Sequence, residues 1–211
     1  MTDSMRSSAN QDSEITTVGI VLYPDAEELD WAGPYEVFSM AAMGRDSMKV
    51  VTIAQTTDPV RCAKGLRVLP DHSFDDAPAL DVVLVPGGQG SRVEMENPVM
   101  LDWLRDVAPA CSWVTSVCTG AMILCKAGLT KGCKITTHWA YVEELRKHEG
   151  FSEVLERIRY VRDGRLVTSA GVSAGIDMSL WIVGQMISPQ HARNTQRMME
   201  YDPAPPYSAA V

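Results

Sequence analysis

The sequence predicts an α/β domain built on a parallel sheet, with helices packed over it. Three observations carry this: apolar, β-branched runs of strand length, helical stretches alternating with them, and no linker that divides the chain. The runs Val18 to Tyr23, Val50 to Ala54, Asp81 to Val85 and Trp113 to Val117 are largely apolar at consecutive positions. That pattern marks strands buried on both faces.

Helical periodicity occupies Tyr35 to Met43, Pro98 to Val107, Thr119 to Ala127, Ala140 to His148 and Ala174 to Ile187. Strands alternating with helices in this way imply crossovers over a parallel sheet. Two shorter extended segments, Arg61 to Leu69 and Arg159 to Thr168, are expected to form an edge ribbon, the second turning at Asp163-Gly164. Residues 1–15 are polar and mixed in charge and are read as a disordered leader, which leaves residues 16–211 as one domain. The Pro-rich segment Asp202 to Pro206 falls at the end and separates nothing.

A chain of 211 residues can bury one sizeable core. With 19 Lys and Arg against 27 Asp and Glu, the net charge is −8, which speaks against a phosphate-binding face, so no nucleic-acid partner is expected. No apolar run approaches the roughly 20 residues of a membrane-spanning helix, and no membrane association is expected. The leader lacks the apolar centre of an export signal, so the five cysteines are expected as free thiols in the cytoplasm. A neutral or electrophilic small molecule is the expected partner.

Among those cysteines, Cys118 stands apart. Ser116-Val117-Cys118-Thr119-Gly120 closes a strand and opens a helical stretch, with small residues two positions to either side. This is the pattern of a nucleophile elbow, in which a sharp turn presents a reactive side chain. A thiol at a helix start also meets free N–H groups and the positive end of the dipole, so a thiolate is expected. The competing reading, a small buried apolar residue, is the one given to Cys62, Cys111, Cys125 and Cys133. With no Cys-x-x-Cys pair and no paired His spacing, neither a zinc site nor any other cofactor is expected.

Three further elements bear on the thiol. Gly87 and Gly88, directly after the strand ending at Val85, expose backbone N–H groups where ligands of open α/β sheets sit. The amides of Gly88 and Thr119 can stabilise developing negative charge together, or the glycines can serve a plain turn. The absence of a following lysine sets aside a phosphate loop. Asp30 is either a helix N-cap before Gly33-Pro34 or, if the first strand lies beside the strand leading to Cys118, a carboxyl delivered to the thiol. His138 is either a base for the thiol or a hydrogen-bonded wall of the pocket. Asp177 is read as structural.

Pro86-Gly87-Gly88, the Cys118 pentapeptide and Thr136-Thr137-His138-Trp139, in that order, make the chain resemble the ThiJ/PfpI branch of the class I glutamine amidotransferase-like superfamily, from Val18 to Tyr207. Leu29 to Pro34, Thr137 to Tyr141, Ala174 to Asp177 and Glu200 to Pro206 are similar to the isocyanide hydratases of that branch. The same core resembles the ligand domain of AraC-type regulators. The resemblance implies a flavodoxin-like, doubly wound sandwich that forms a homodimer. It implies Cys118 as nucleophile, Asp30 as its acidic partner, and Gly88 and Thr119 as the oxyanion positions. The implied reaction converts an isocyanide and water to an N-substituted formamide through a covalent thioimidate. Protease-like members carry a histidine after the cysteine; Thr119 stands there, so peptidase chemistry is not expected. The alternatives are glyoxalase or deglycase action on small dicarbonyls, and a sensor whose Cys118 is oxidised.

Overall fold

Strand β1 (Thr16–Val21) leads into helix α1 (Glu28–Ala42) and then β2 (Met48–Ala54). A short ribbon of β3 (Val60–Arg61) and β4 (Arg67–Val68) follows, then β5 (His72–Ser73) and β6 (Val82–Val85). Helices α2 (Ser91–Glu94) and α3 (Pro98–Val107) precede β7 (Trp113–Val117), and α4 (Gly120–Lys126) follows it. Next come β8 (Lys134–Ile135), a 3₁₀ turn at Trp139–Tyr141, α5 (Val142–Leu145) and β9 (Glu153–Val154). The chain closes with β10 (Tyr160–Asp163), β11 (Leu166–Ser169), α6 (Ala174–Met186) and α7 (Pro189–Met198). The computed structural model describes residues 15–203, so the predicted leader lies outside the described residues except for Ile15, as does the Pro-rich segment beyond Pro203.

Seven strands form one sheet in the order β10-β11-β7-β6-β1-β2-β5, parallel throughout except for β10. This is the predicted parallel sheet with helices over it. Every residue of β6 is buried, including neighbours that point to opposite faces, because helices cover both sides. The four predicted strands are all present, and Trp113 to Val117 has the predicted bounds. Among the described residues no helix is long and apolar enough to cross a membrane.

Several predicted elements differ from the structure. The two extended segments do not pair with each other. Val60–Arg61 and Arg67–Val68 form a separate ribbon, while β10 and β11 join the main sheet, β11 running parallel to β7. The helix expected from Tyr35 begins at Glu28, so Asp30 lies in its first turn instead of capping it. Pro34 sits inside that helix and removes one backbone donor, which is tolerated because Gly33 and Gly175 let α1 and α6 approach closely around it. The helix expected over Ala140 to His148 is a 3₁₀ turn followed by the short α5.

Helix α7 was not anticipated, since its residues are polar and Thr195 alone is buried. Its start signal is nevertheless present: the Ser188 hydroxyl accepts from the His191 N–H at 3.1 Å, and Pro189 occupies the first helical position. Asp177 is tied into the frame as expected, accepting from Arg159 Nε at 2.6 Å and from the Tyr201 hydroxyl at 2.9 Å.

The central strands set the stability of everything attached to their ends. Leu84→Ala, in the fully buried β6, is expected to lower the free energy of unfolding by about 2–5 kcal/mol, read from urea denaturation. A cost close to zero would mean that β6 is not the packed centre described.

Candidate active site

Cys118 has a positive φ of 56°, in the left-handed region that side chains with a Cβ rarely occupy. Holding a cysteine there costs on the order of 1–3 kcal/mol, so the surroundings must impose it. Two hydrogen bonds do so. The Cys118 N–H donates to the Ser169 carbonyl of β11 at 3.1 Å, and the Thr137 hydroxyl donates to the Cys118 carbonyl at 2.8 Å. The elbow is therefore pinned from the neighbouring strand on one side and from the segment after β8 on the other.

Glycines let the turn after β6 press against this elbow. A Cβ on Gly87 would lie 2.5 Å from the Thr119 nitrogen and 2.8 Å from the Cys118 Cβ. One on Gly120 would lie 2.2 Å from the Val85 carbonyl oxygen. Both are closer than any side chain tolerates, so glycine here is a packing requirement.

Gly87 is also the link to Asp30. Strand β1 is not adjacent to β7, because β6 lies between them. The carboxyl crosses that gap through the glycine turn: the Gly87 N–H donates to Asp30 Oδ2 at 2.9 Å, and the Glu27 N–H donates to the Gly87 carbonyl at 2.9 Å. The Tyr23 hydroxyl donates to the Pro86 carbonyl at 2.5 Å and lies 3.0 Å from that of Gly87, bracing the turn from beneath. Asp30 is fully buried, and its Oδ1 has no hydrogen-bond partner among the described residues. The thiol of Cys118 is the titratable group next to it.

In front of the sulfur lies a cavity of about 180 Å³, lined among others by Glu27, Gly88, Arg92, Cys118, His138 and Tyr141. Thr119 lines it as well, whereas the buried Asp30 and Gly87 are not part of its lining. Thr119 Oγ1 accepts from the Gly88 N–H at 3.1 Å and from the Ser91 hydroxyl at 2.9 Å. Its single proton is then shared between the Gly88 carbonyl, at 3.2 Å, and the Cys118 sulfur. The two amides expected as an oxyanion pair thus have different partners: that of Thr119 points at the sulfur, and that of Gly88 is engaged by the Thr119 hydroxyl.

His138 ends the extended stretch that follows β8, as expected. It caps the 3₁₀ turn, its Nδ1 accepting from the Ala140 N–H at 3.2 Å. Its ring packs on Gly171, where any Cβ would lie 2.1 Å from the imidazole Cδ2. With Nδ1 occupied as an acceptor, the neutral ring carries its proton on Nε2, and burial lowers its pKa. His138 is a pocket wall with a donor, not a free base.

Sequence reasoning missed the rest of the rim. Arg92 donates to the Gly88 carbonyl at 3.1 Å, pairs with Glu144 at 3.4 Å and stacks 4.2 Å over the Tyr141 ring. Lys64 pairs with Glu27 at 2.6 Å beside the opening. These side chains come from separate segments, and no local motif marks them. Among the described residues, no cluster of three or more His, Cys, Asp or Glu could hold a metal ion.

A model of the DJ-1/PfpI family matches residues 16–185, most of the chain. The chain belongs to the DJ-1/PfpI family. This DJ-1/PfpI protein is 38% identical over 192 residues to an isonitrile hydratase of Pseudomonas putida, covering 91% of this chain and 81% of that one. It is 26% identical to a glutathione-independent glyoxalase, DJR-1.2, of Caenorhabditis elegans, across 81% of this chain and 89% of the relative. A ThiJ/PfpI family protein of Pseudomonas syringae with a solved structure superimposes with a TM-score of 0.84, at 32% identity, over 100% of this chain and 86% of that one.

The electrostatics of this DJ-1/PfpI site reverse one expectation. The helix after Cys118 was expected to favour a thiolate. Instead burial, followed by the adjacent Asp30 carboxylate, pushes the thiol up to about 12, outweighing the stabilising Thr119 contacts. Burial likewise raises Asp30 from 3.8 to about 7, against the lowering effect of the Gly87 N–H. The two groups titrate as a coupled pair: near neutrality the sulfur keeps its proton, and the carboxyl beside it is the group that exchanges one.

Two outcomes follow for this DJ-1/PfpI member. Asp30→Ala removes the carboxylate that raises the thiol, so alkylation of Cys118 by iodoacetamide should become faster near pH 8, followed by peptide mass spectrometry. Slower alkylation would contradict the coupling. The raised folded-state pKa of Asp30 also contributes stability that is fully present below about pH 4 and lost as pH rises through about 7. Asp30→Asn, which keeps an oxygen for the Gly87 N–H, should therefore raise the melting temperature more at about pH 9 than at about pH 5. An equal change at both pH values would show that burial does not penalise this carboxylate.

Proposed function

We propose that this protein hydrates small uncharged electrophiles, with isocyanides as its substrate class, through a covalent bond to Cys118. The observation that carries this reading is the pairing of Cys118 with Asp30. A strained thiol has a buried carboxyl with an unpartnered oxygen as its neighbour, and a small cavity in front. The 38% identity to the Pseudomonas putida isonitrile hydratase directs that chemistry to isocyanides.

In this mechanism the Asp30 carboxylate takes the thiol proton as the sulfur attacks the terminal carbon of R–NC. The proton passes from Asp30 to that carbon, giving the thioimidate R–N=CH–S–Cys118. Asp30, again ionised, draws a proton from the water that adds to the same carbon and delivers it to the nitrogen. On collapse Asp30 takes the hydroxyl proton as the formamide R–NH–CHO forms, and returns it to the expelled sulfur. Substrate and water are consumed and nothing else is required. The Thr119 amide and hydroxyl stabilise charge as it develops on sulfur and carbon, and the His138 Nε2–H offers a donor at the cavity wall. The reading includes a cytoplasmic homodimer as the working unit and involves no cofactor.

The test is formamide production from cyclohexyl isocyanide by wild type, Cys118→Ala and Asp30→Ala, with mass spectrometry of the Cys118 peptide. Wild type should turn over and carry the thioimidate. Cys118→Ala should fall by at least about a thousandfold and Asp30→Ala by about a hundredfold or more. Wild-type turnover should rise with pH as Asp30 ionises, through about 7. Lactate from methylglyoxal without formamide from the isocyanide would transfer the reading to dicarbonyl chemistry. No turnover of either would leave a sensor.

A further inference from the structure

A second cavity, of about 280 Å³, opens at the carboxyl ends of β1 and β2. In the sheet order, β2 lies on one side of β1 and β6 on the other, so the strand order reverses at β1. The crevice of that reversal lies between β1 and β6; this cavity lies between β1 and β2, on the same carboxyl edge of the sheet, where ligands of open α/β sheets sit. Leu22, Tyr23 and Pro24 supply one wall, Ala54 to Thr56 and Val60 another, and Met100 of α3 the base.

One charged group faces this apolar space. Glu94, at the end of α2, is only 8% exposed. Its Oε2 accepts from the Asn97 amide at 2.8 Å, and Asn97 is itself held by the Gln55 carbonyl oxygen at 3.0 Å. Glu94 Oε1 has no hydrogen-bond partner among the described residues, yet it is not sealed within the protein. Among the described residues no lysine or arginine lines the cavity, and the other carboxyl there, Asp58, lies at its exposed rim. Burial raises the pKa of Glu94, with no cation nearby to offset it. One carboxylate oxygen is thus left open to the cavity, where a cationic donor would gain a charge-assisted hydrogen bond.

We propose that this cavity is a second ligand site, which binds a small organic ammonium: the cationic nitrogen on Glu94 Oε1 and the apolar body against Leu22, Pro24, Val60 and Met100. The site is distinct from the cavity in front of Cys118. Tyr23 stands between the two, its hydroxyl turned away to the Pro86 and Gly87 carbonyls. The second site therefore stands whether or not Cys118 hydrates isocyanides.

The experiment titrates the full chain with benzylamine near neutral pH, read by calorimetry and by amide chemical shifts. Benzyl alcohol and benzoate serve as the neutral and anionic counterparts. Benzylamine should bind one to one and shift the amides of Gln55, Thr56 and Val60, and protein alkylated at Cys118 should bind it equally well. Glu94→Gln should weaken binding by about tenfold or more, because it removes a charge-assisted hydrogen bond. Thr56→Trp, at an exposed loop position whose side chain is well placed to fill the mouth, should abolish binding without disturbing the core. Benzoate binding as tightly as benzylamine, unchanged affinity in Glu94→Gln, or loss of binding on alkylation of Cys118 would each overturn the proposal.

Discussion

One constraint organises this molecule: a thiol and a carboxyl are held side by side out of water. Neither is comfortable there: burial raises both, and the carboxylate raises the thiol further, while the thiol eases ionisation of the carboxyl. The fold imposes the arrangement with backbone rather than with countercharges. Cys118 is forced into the left-handed region by bonds from β11 and from the segment after β8, while Gly87 bridges from the elbow to Asp30. Among the described residues the carboxyl is anchored by one peptide N–H, and its second oxygen stays uncommitted. A proton shuttle that remains tuned near neutrality is the chemical product of that shortage of partners.

The glycine turn after β6 therefore has a larger part than a plain connection would. It approaches the elbow to within van der Waals contact, receives the Tyr23 hydroxyl, and directs one amide to Asp30 and the next to Thr119. Three consecutive residues thus couple the ends of β1, β6 and β7. In such an arrangement, small shifts of the turn alter the separation of thiol and carboxyl directly, which is the reason for bracing it from below.

Much of this was legible in the chain. Trp113 to Val117 reads as a doubly buried strand because its apolar residues are consecutive, and Cys118 reads as an elbow because small residues flank it. Asp30 was harder. Gly33-Pro34 looks like a helix start, and nothing local says that α6 supplies a glycine of its own against which Pro34 packs in mid-helix. Helix α7 escaped because its residues are so polar overall, and its stability comes from docking against α6 and α1. The thiolate expectation failed for a related reason. A dipole can be read from a strand-to-helix junction, but the desolvation that outweighs it comes from strands far apart in sequence. Arg92, Tyr141 and Lys64 likewise meet at the cavity only once the sheet is assembled.

The rim of that cavity has one further consequence. Lys64 is neutralised by Glu27 and Arg92 by Glu144, so each cation at the opening arrives with its own anion. Paired charges project little potential into solvent beyond a few ångströms. An uncharged molecule meets neither a hill nor a funnel on its approach, and its capture rate is indifferent to ionic strength. Admission is decided by shape and by the dipole of the visitor, once it has already arrived.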